Sequence, residues 1–196
     1  FTRSLKIEVW ISSSGLADKF KIGMDVFSPS VKKNVKIHVL PEKKLFGLVN
    51  VTPASVFDSP DYKSSLLTQT FLGEKVDILQ KKDGWFRIKC EDGYIGWLNS
   101  SQVVLSNIKE ISIWQNRDFL VCRSIIGDIK ERPDESSTVL RKITVGTKLP
   151  YLKKNGKWIK VILPDSIKGW ICEKNEFNWL DDKAKSPADR IVLTSQ

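Results

Sequence analysis

Histidine is almost missing from this chain. Its 196 residues include one, His38, and three cysteines, Cys90, Cys122 and Cys172, none of which forms a CxxC or CxxH spacing. A thiol nucleophile needs a base that ionises it and a third polar group that orients the base. His38 lies among Lys and Val on a stretch of strand-like alternation and reads as a surface or edge residue. The cysteines are odd in number, and each sits in an apolar, strand-like stretch where a thiol packs as a small hydrophobe. No P-loop, GxGxxG, HExxH or EF-hand loop occurs, so nothing points to a nucleotide, a resident metal or a cofactor. No catalytic residue is assigned, and the chain alone is expected to catalyse nothing. A run of 18 apolar residues, the minimum for a membrane-spanning helix, is absent as well.

Charge is less scarce. Thirty-two basic side chains against 23 acidic ones give +9, which suits an anionic environment such as nucleic acid, anionic lipid or an anionic cell-wall polymer. Nucleic acid is disfavoured, because the lysines are spread along the chain and no Lys/Arg cluster is interleaved with stacking aromatics. The chain opens on Phe1 rather than Met. It is expected to be either a processed product or a cut piece of a longer chain, and a removed signal peptide would suit an exported protein.

What the chain does have is a repeat. Among the residues that return unchanged 73 positions on (133 − 60 for the first pair) are Pro60/Pro133, Ser64/Ser137, Leu67/Leu140, Gly73/Gly146, Lys75/Lys148, Leu79/Leu152, Lys81/Lys154, Trp85/Trp158, Gly96/Gly169 and Trp97/Trp170. Asp58/Glu131, Arg87/Lys160 and Ile88/Val161 are close swaps at the same offset, and no gap is needed between 48–98 and 121–171. Such self-similarity decides the architecture before any local signal does. Each copy has short apolar runs punctuated by Asp-Gly or Asn-Gly turns, and Phe86, Ile88 and Cys90 alternate with Arg87 and Lys89, the two-residue period of a half-buried strand. The predicted order is strand, Asp83-Gly84 turn, strand from Trp85, Asp92-Gly93 turn, strand Tyr94–Leu98, with Asn155-Gly156 as the matching turn in the second copy. Such a meander closes as a small barrel, since an open sheet of that size would leave bare edges. Domains this small are marginal, so the two are expected to pack on each other or on a third.

Outside the repeat, residues 1–44 contain two alternating stretches, Leu5–Val9 and Val35–Val39, and a short helix at Leu16–Ile22; this extension is expected to add strands to the first barrel or to cap the interface. The first barrel occupies 45–105. A connecting strand at Ile108–Gln115 and the second barrel fill 106–180, and 181–196 reads as a polar linker and a helix start, with Ser186 as N-cap and Pro187 at the first position. A helix that breaks off there is expected to lead into a missing domain.

Gly73-Glu74-Lys75-Val76, Asp83-Gly84-Trp85 and Asp92-Gly93-Tyr94-Ile95-Gly96-Trp97 resemble the bacterial SH3-like domain, and Val145-Gly146, Gly156-Lys157-Trp158 and Lys168-Gly169-Trp170 resemble a second one. The implied fold is all-β, two SH3-like barrels in tandem, in which Gly73, Trp85, Gly96, Gly146, Trp158, Gly169 and Trp170 serve structure. The polyproline-gripping motifs of the eukaryotic Src-homology version are not found. Two such modules before a helix opening Asp189-Arg190-Ile191-Val192 resemble the arrangement in NlpC-type cysteine peptidases. That resemblance implies a papain-like catalytic domain on the C-terminal side, peptidoglycan or its stem peptides as partner, cleavage between γ-D-glutamate and a diamino acid, and an exported protein of the periplasm or cell envelope. The family's Asp-Cys-Ser-Gly motif does not occur here. What remains for this chain is binding. Tyr62 and Tyr94, replaced by Glu135 and Ile167 in the second copy, are the candidate ligand contacts together with Trp97. The alternative is a non-catalytic envelope adaptor that binds a protein or an anionic polymer.

Overall fold

A computed structural model of the protein describes residues 4–11, 14–27, 32–39, 45–122, 125–173 and 177–179; the linker and helix expected at 181–196 lie outside the described residues. Phe1–Lys44 and Leu45–Gln196 are two compact units. In the first, strands β1 (Ser4–Ile11) and β2 (Lys32–Val39) flank helix α1 (Ser14–Phe27). The strands pair in parallel, with Ile7 opposite Val35 and Val9 opposite Ile37. A parallel pair needs a crossover, and α1 supplies it. Both expected strands are thus present, and the helix is longer than Leu16–Ile22. The expectation that they join the first barrel is corrected: β1 and β2 form a two-stranded sheet of their own.

The second unit is a duplicated antiparallel sheet. Its first module has β3 (Leu45–Val49), β4 (Ala54–Phe57), β5 (Leu66–Thr70), β6 (Lys75–Lys82), β7 (Trp85–Lys89), β8 (Ile95–Asn99) and β9 (Val103–Ser106). Its second has β10 (Phe119–Cys122), β11 (Ile126–Lys130), β12 (Val139–Thr144), β13 (Lys148–Asn155), β14 (Trp158–Ile162), β15 (Lys168–Cys172) and β16 (Phe177–Trp179). The strand order is β5-β4-β8-β7-β6-β3-β9 in one and β12-β11-β15-β14-β13-β10-β16 in the other. Position by position the two orders are the same. Even the register irregularities coincide, at Ile78/Gln80 with Tyr151/Lys153 and at Val56/Phe57 with Ile129/Lys130. Trp85 and Trp158 each open the equivalent strand, as the offset predicts.

Within β7, Phe86 and Ile88 join Val56, Val76, Ile78 and Leu98 in the first module's buried cluster, which leaves Trp85, Arg87 and Lys89 on the other face. Lys82 pairs with Trp85, so Asp83-Gly84 is a two-residue hairpin loop. Its φ values of 45° and 80° are the left-handed pair that a type I′ turn requires. In the second module Asn155 pairs with Trp158. The loop there is Gly156-Lys157, one residue later than the sequence reading placed it.

One expected element changes type. Ile108–Gln115 is helix α2 rather than a connecting strand. The Asn107 side chain accepts from the backbone N–H groups of Lys109 (2.9 Å) and Glu110 (3.0 Å), and Glu110 Oε2 accepts from Asn107 N at 2.8 Å, a capping box that starts a helix. The apolar residues at 111 and 113 mimic strand alternation. The buried pair, however, is Ile111 and Trp114, three apart, while Ile113 is exposed, which is helical spacing. Ile111 and Trp114 pack with Phe46 and Leu48 of the first module and with Phe119 and Ile162 of the second. Trp114 Nε1 also donates to Gly73 O at 3.0 Å.

The two modules share more than a seam. Leu72, from the loop before β6, is 1% exposed and belongs to the second module's core with Leu120, Ile129, Leu149 and Ile171. Asp165 Oδ2 accepts from Asn50 Nδ2 at 3.0 Å and from Arg141 Nη2 at 2.9 Å, tying the first module's β3–β4 loop to the β14–β15 turn.

Candidate ligand-binding face

Strand register sets one row of side chains on the outer face of the first module. Phe57 of β4 lies opposite Trp97 of β8, Trp97 opposite Arg87 of β7, and Arg87 opposite Gln80 of β6. The Arg87 guanidinium lies 6.0 Å from the Trp97 ring centroid. Above the row sits Trp85, whose ring is 4.7 Å from that of Tyr62 and 6.0 Å from that of Phe57; Phe57 and Tyr62 meet edge to face at 5.8 Å. These are the separations of attractive aromatic pairs. Trp85 and Trp97 are both 7% exposed, whereas Tyr62 is 61% exposed. Tyr62 is thus the open end of an otherwise covered aromatic stack.

The loop that carries Tyr62 is pinned. Asp58 N donates to Ser65 O at 3.0 Å, Lys63 N donates to Asp61 Oδ1 at 2.9 Å, and the Ser64 hydroxyl donates to Asp61 O at 2.7 Å. A ring on a pinned loop is ordered before any ligand arrives, so little rotamer entropy remains to be lost on binding.

Tyr94 is placed elsewhere. It lies in the turn that closes β7 onto β8, where Tyr94 N donates to Asp92 Oδ1 at 3.1 Å and Cys90 N donates to Tyr94 O at 2.9 Å. Trp85 pairs with Asn99 at the opposite end of that hairpin. Of the three candidate contacts, Tyr62 and Trp97 therefore share one face through Phe57, and Tyr94, 54% exposed, stands apart. Phe57 escaped the sequence reading. The signal was present, because its repeat partner is Lys130 just as that of Tyr62 is Glu135.

The second module has no aromatic stack at these positions. Lys157 Nζ donates to Glu135 Oε1 at 3.1 Å, and that bond lowers the carboxyl's pKa and raises the ammonium's. Gly96 and Gly169 hold equivalent close approaches. A Cβ on Gly96 would stand 2.6 Å from Val56 Cγ1 and 2.7 Å from Phe57 O, and one on Gly169 would strike Ile129 Cγ2. Gly73 and Gly146 share a left-handed φ, 87° and 86°. Cys90, Cys122 and Cys172 are buried. Burial, reinforced by Asp92, Glu74 and Glu91, pushes the Cys90 thiol up to about 12, the opposite of what an attacking thiolate needs. Among the described residues no group of three His, Cys, Asp or Glu stands together as a metal site.

Comparison with known proteins agrees with this duplicated geometry. Residues 56–103 match the family model for the bacterial dipeptidyl-peptidase Sh3 domain, and residues 127–175 match that for the bacterial SH3 domain. The chain carries two bacterial SH3 domains in tandem. It is similar to a gamma-D-glutamyl-L-lysine dipeptidyl-peptidase of Bacillus cereus, 26% identical over 144 residues, which is 68% of this chain and 42% of that one. Its fold is similar to the crystal structure of an NlpC/P60 family protein from Bacillus cereus, with a TM-score of 0.60 at 21% identity over 76% of this chain and 62% of that one. The chain thus spans less than half of the curated relative and under two thirds of the solved chain. Tyr62, Trp85 and Trp97 lie within the first SH3 domain, and Trp158 and Trp170 within the second. Among the described residues no helix is long and apolar enough to cross a membrane.

Proposed function

We propose that the tandem SH3 unit targets an NlpC-type γ-D-glutamyl-diamino acid endopeptidase to peptidoglycan and restricts what enters its cleft, working beside a papain-like catalytic domain in an exported protein of the periplasm or cell envelope. One observation carries the reading. The domain similar to the dipeptidyl-peptidase SH3 family is the one that presents a half-open aromatic stack, Tyr62 on Trp85 and Phe57, while the other domain puts Glu135 at the same place. A ring with an apolar face and a hydroxyl tip suits the end of a short peptide. A neighbouring wall converts a peptidase cleft into one that accepts only such an end, because a longer substrate then clashes.

The test joins the chain to a papain-like domain of the family and compares short stem peptides with the same sequence extended at its N-terminus. Tyr62→Ala is expected to lower kcat/KM for the short peptide about tenfold or more, and so to erase the preference over the extended one. Tyr94→Ala, at the far end of the hairpin, is expected to leave the preference within about twofold. An unchanged ratio in Tyr62→Ala sinks the gating role. Failure of the unmodified chain to sediment with peptidoglycan sacculi sinks the targeting role.

A further inference from the structure

The second SH3 domain repeats the outer-face row with different chemistry. Lys130 of β11 lies opposite Trp170 of β15, Trp170 opposite Lys160 of β14, and Lys160 opposite Lys153 of β13. Phe-Trp-Arg-Gln across four strands in the first domain has become Lys-Trp-Lys-Lys in the second. Neighbouring strands are about 4.8 Å apart, so the row spans about 14 Å. The ammonium groups of Lys153 and Lys160 lie 5.9 and 5.2 Å from the centroid of the one Trp170 ring.

Like charges directly opposite each other on an antiparallel ladder repel, and among the described residues no interleaved carboxylate, the usual remedy, pairs with Lys153 or Lys160. Lys154 pairs with Glu173 at 2.6 Å and Lys157 with Glu135 at 3.1 Å, just off the row. Lys130 has Asp128 at 3.8 Å. Neither Lys153 nor Lys160 has a carboxylate partner among the described residues. Two ammoniums are therefore held side by side over one ring, each attracted to its face and each without a counter-charge among the described residues.

We propose that this row is a binding site for a linear polyanion of phosphodiester-linked polyols, laid across strands β13, β14, β15 and β11. Lysine meets a phosphate as a compact point charge, and the row lacks the arginine fork that pairs bidentately with carboxylate and phosphate alike. A nucleic acid fits less well. Trp158 and Trp170 are 7% and 8% exposed and lie beneath lysine ammoniums, so neither ring is open for a base to stack on. A line of cations, rather than a broad plane of them, also suits one chain of charges better than a lipid surface. The inference stands apart from the peptidase reading and needs no catalytic domain.

The test uses the full chain and poly(glycerol phosphate) as the probe, with affinity measured across a salt series. The double variant Lys153→Gln/Lys160→Gln is expected to bind about tenfold or more weakly and to lower the slope of log K against log salt by roughly 1.4, about 0.7 for each lost contact as for single-stranded polyanions. Lys82→Gln/Lys109→Gln, which removes the same charge from exposed positions elsewhere, is expected to change affinity less than twofold. Lys153→Arg/Lys160→Arg is expected to bind within about twofold of the parent. Equal weakening in both glutamine pairs would reduce the site to net charge and overturn the proposal. So would absence of measurable binding, or displacement of the polymer by duplex DNA or by phosphatidylglycerol vesicles at equal phosphate concentration. Should the glutamine pair fail to fold, the parent and the arginine pair still decide through the competition arms.

Discussion

Leu72 belongs to the first SH3 domain by sequence and to the second by packing, and its truncation tests whether the two fold as one body. The side chain is 1% exposed within a cluster otherwise drawn from the second domain: Leu120, Cys122, Ile129, Ile143, Leu149, Ile159, Val161, Leu163 and Ile171. Leu72→Ala removes buried methyl groups there and leaves a cavity that β-strands on either side cannot close. Such changes cost about 2–5 kcal/mol. Val145 occupies the same position in the repeat (145 − 72 = 73) yet is 51% exposed, so Val145→Ala is expected to stay within about 0.5 kcal/mol of the parent. Urea unfolding followed by tryptophan fluorescence reads the difference. With a slope of about 2 kcal/mol per molar, Leu72→Ala lowers the midpoint by about 1–2.5 M. Amide exchange should locate the loss, with Ile159 and Ile171 in the second domain losing protection along with Ile88 and Leu98 in the first. A midpoint shift under about 0.3 M, or lost protection confined to the first domain, would refute a shared core.

Gly96→Ala is expected to destabilise by about 1–3 kcal/mol, because Phe57 O, 2.7 Å from the new Cβ, is backbone and cannot rotate away. Gly23→Ala, within α1 and with nothing inside 4 Å, should instead stabilise by about 0.5–1 kcal/mol; thermal melts of both variants check the opposite signs. Asn107→Ala removes the acceptor for two orphan N–H groups of α2 and should cost about 1 kcal/mol, read as a lower urea midpoint. Cys90 holds its proton more tightly folded than unfolded, so its contribution is whole below pH 9.0 and drains away as pH climbs toward about 12. The parent's urea midpoint should accordingly fall more steeply over that window than that of Cys90→Ala, and parallel curves would show the thiol's environment to be ordinary.

Much of the fold was legible because local signals recur. The offset of 73 carries strand edges, the left-handed glycine Gly73/Gly146 and even register irregularities from one domain to the other. Two further pairs were legible in principle: Asp61 and Asp134 each accept from the N–H two residues on, as do Asp92 and Asp165. Ile108–Gln115 was misread because apolar residues at 111 and 113 suggest a period of two, while the deciding information lay in Asn107 and Glu110, a cap that needs geometry to be recognised. The site was legible in part. Asymmetry between the copies singled out Tyr62, and the same test applied to Phe57 and Lys130 would have extended it.

Chain order alone determined the all-β class, the duplication and the turns, since each depends on residues within a few positions of one another. Only the tertiary structure decided who meets whom across strands. Lys130, Lys153, Lys160 and Trp170 are scattered over 41 positions (170 − 130 + 1) and look like dispersed surface charge, yet register places them side by side. Tyr62 and Tyr94 look alike in sequence, and the hairpin puts them at opposite ends. Leu72 sits in the first repeat and is buried in the second domain's core. Neighbours in a sheet are set by hydrogen-bond register between strands far apart in the chain, and that quantity has no signature in any single stretch of residues.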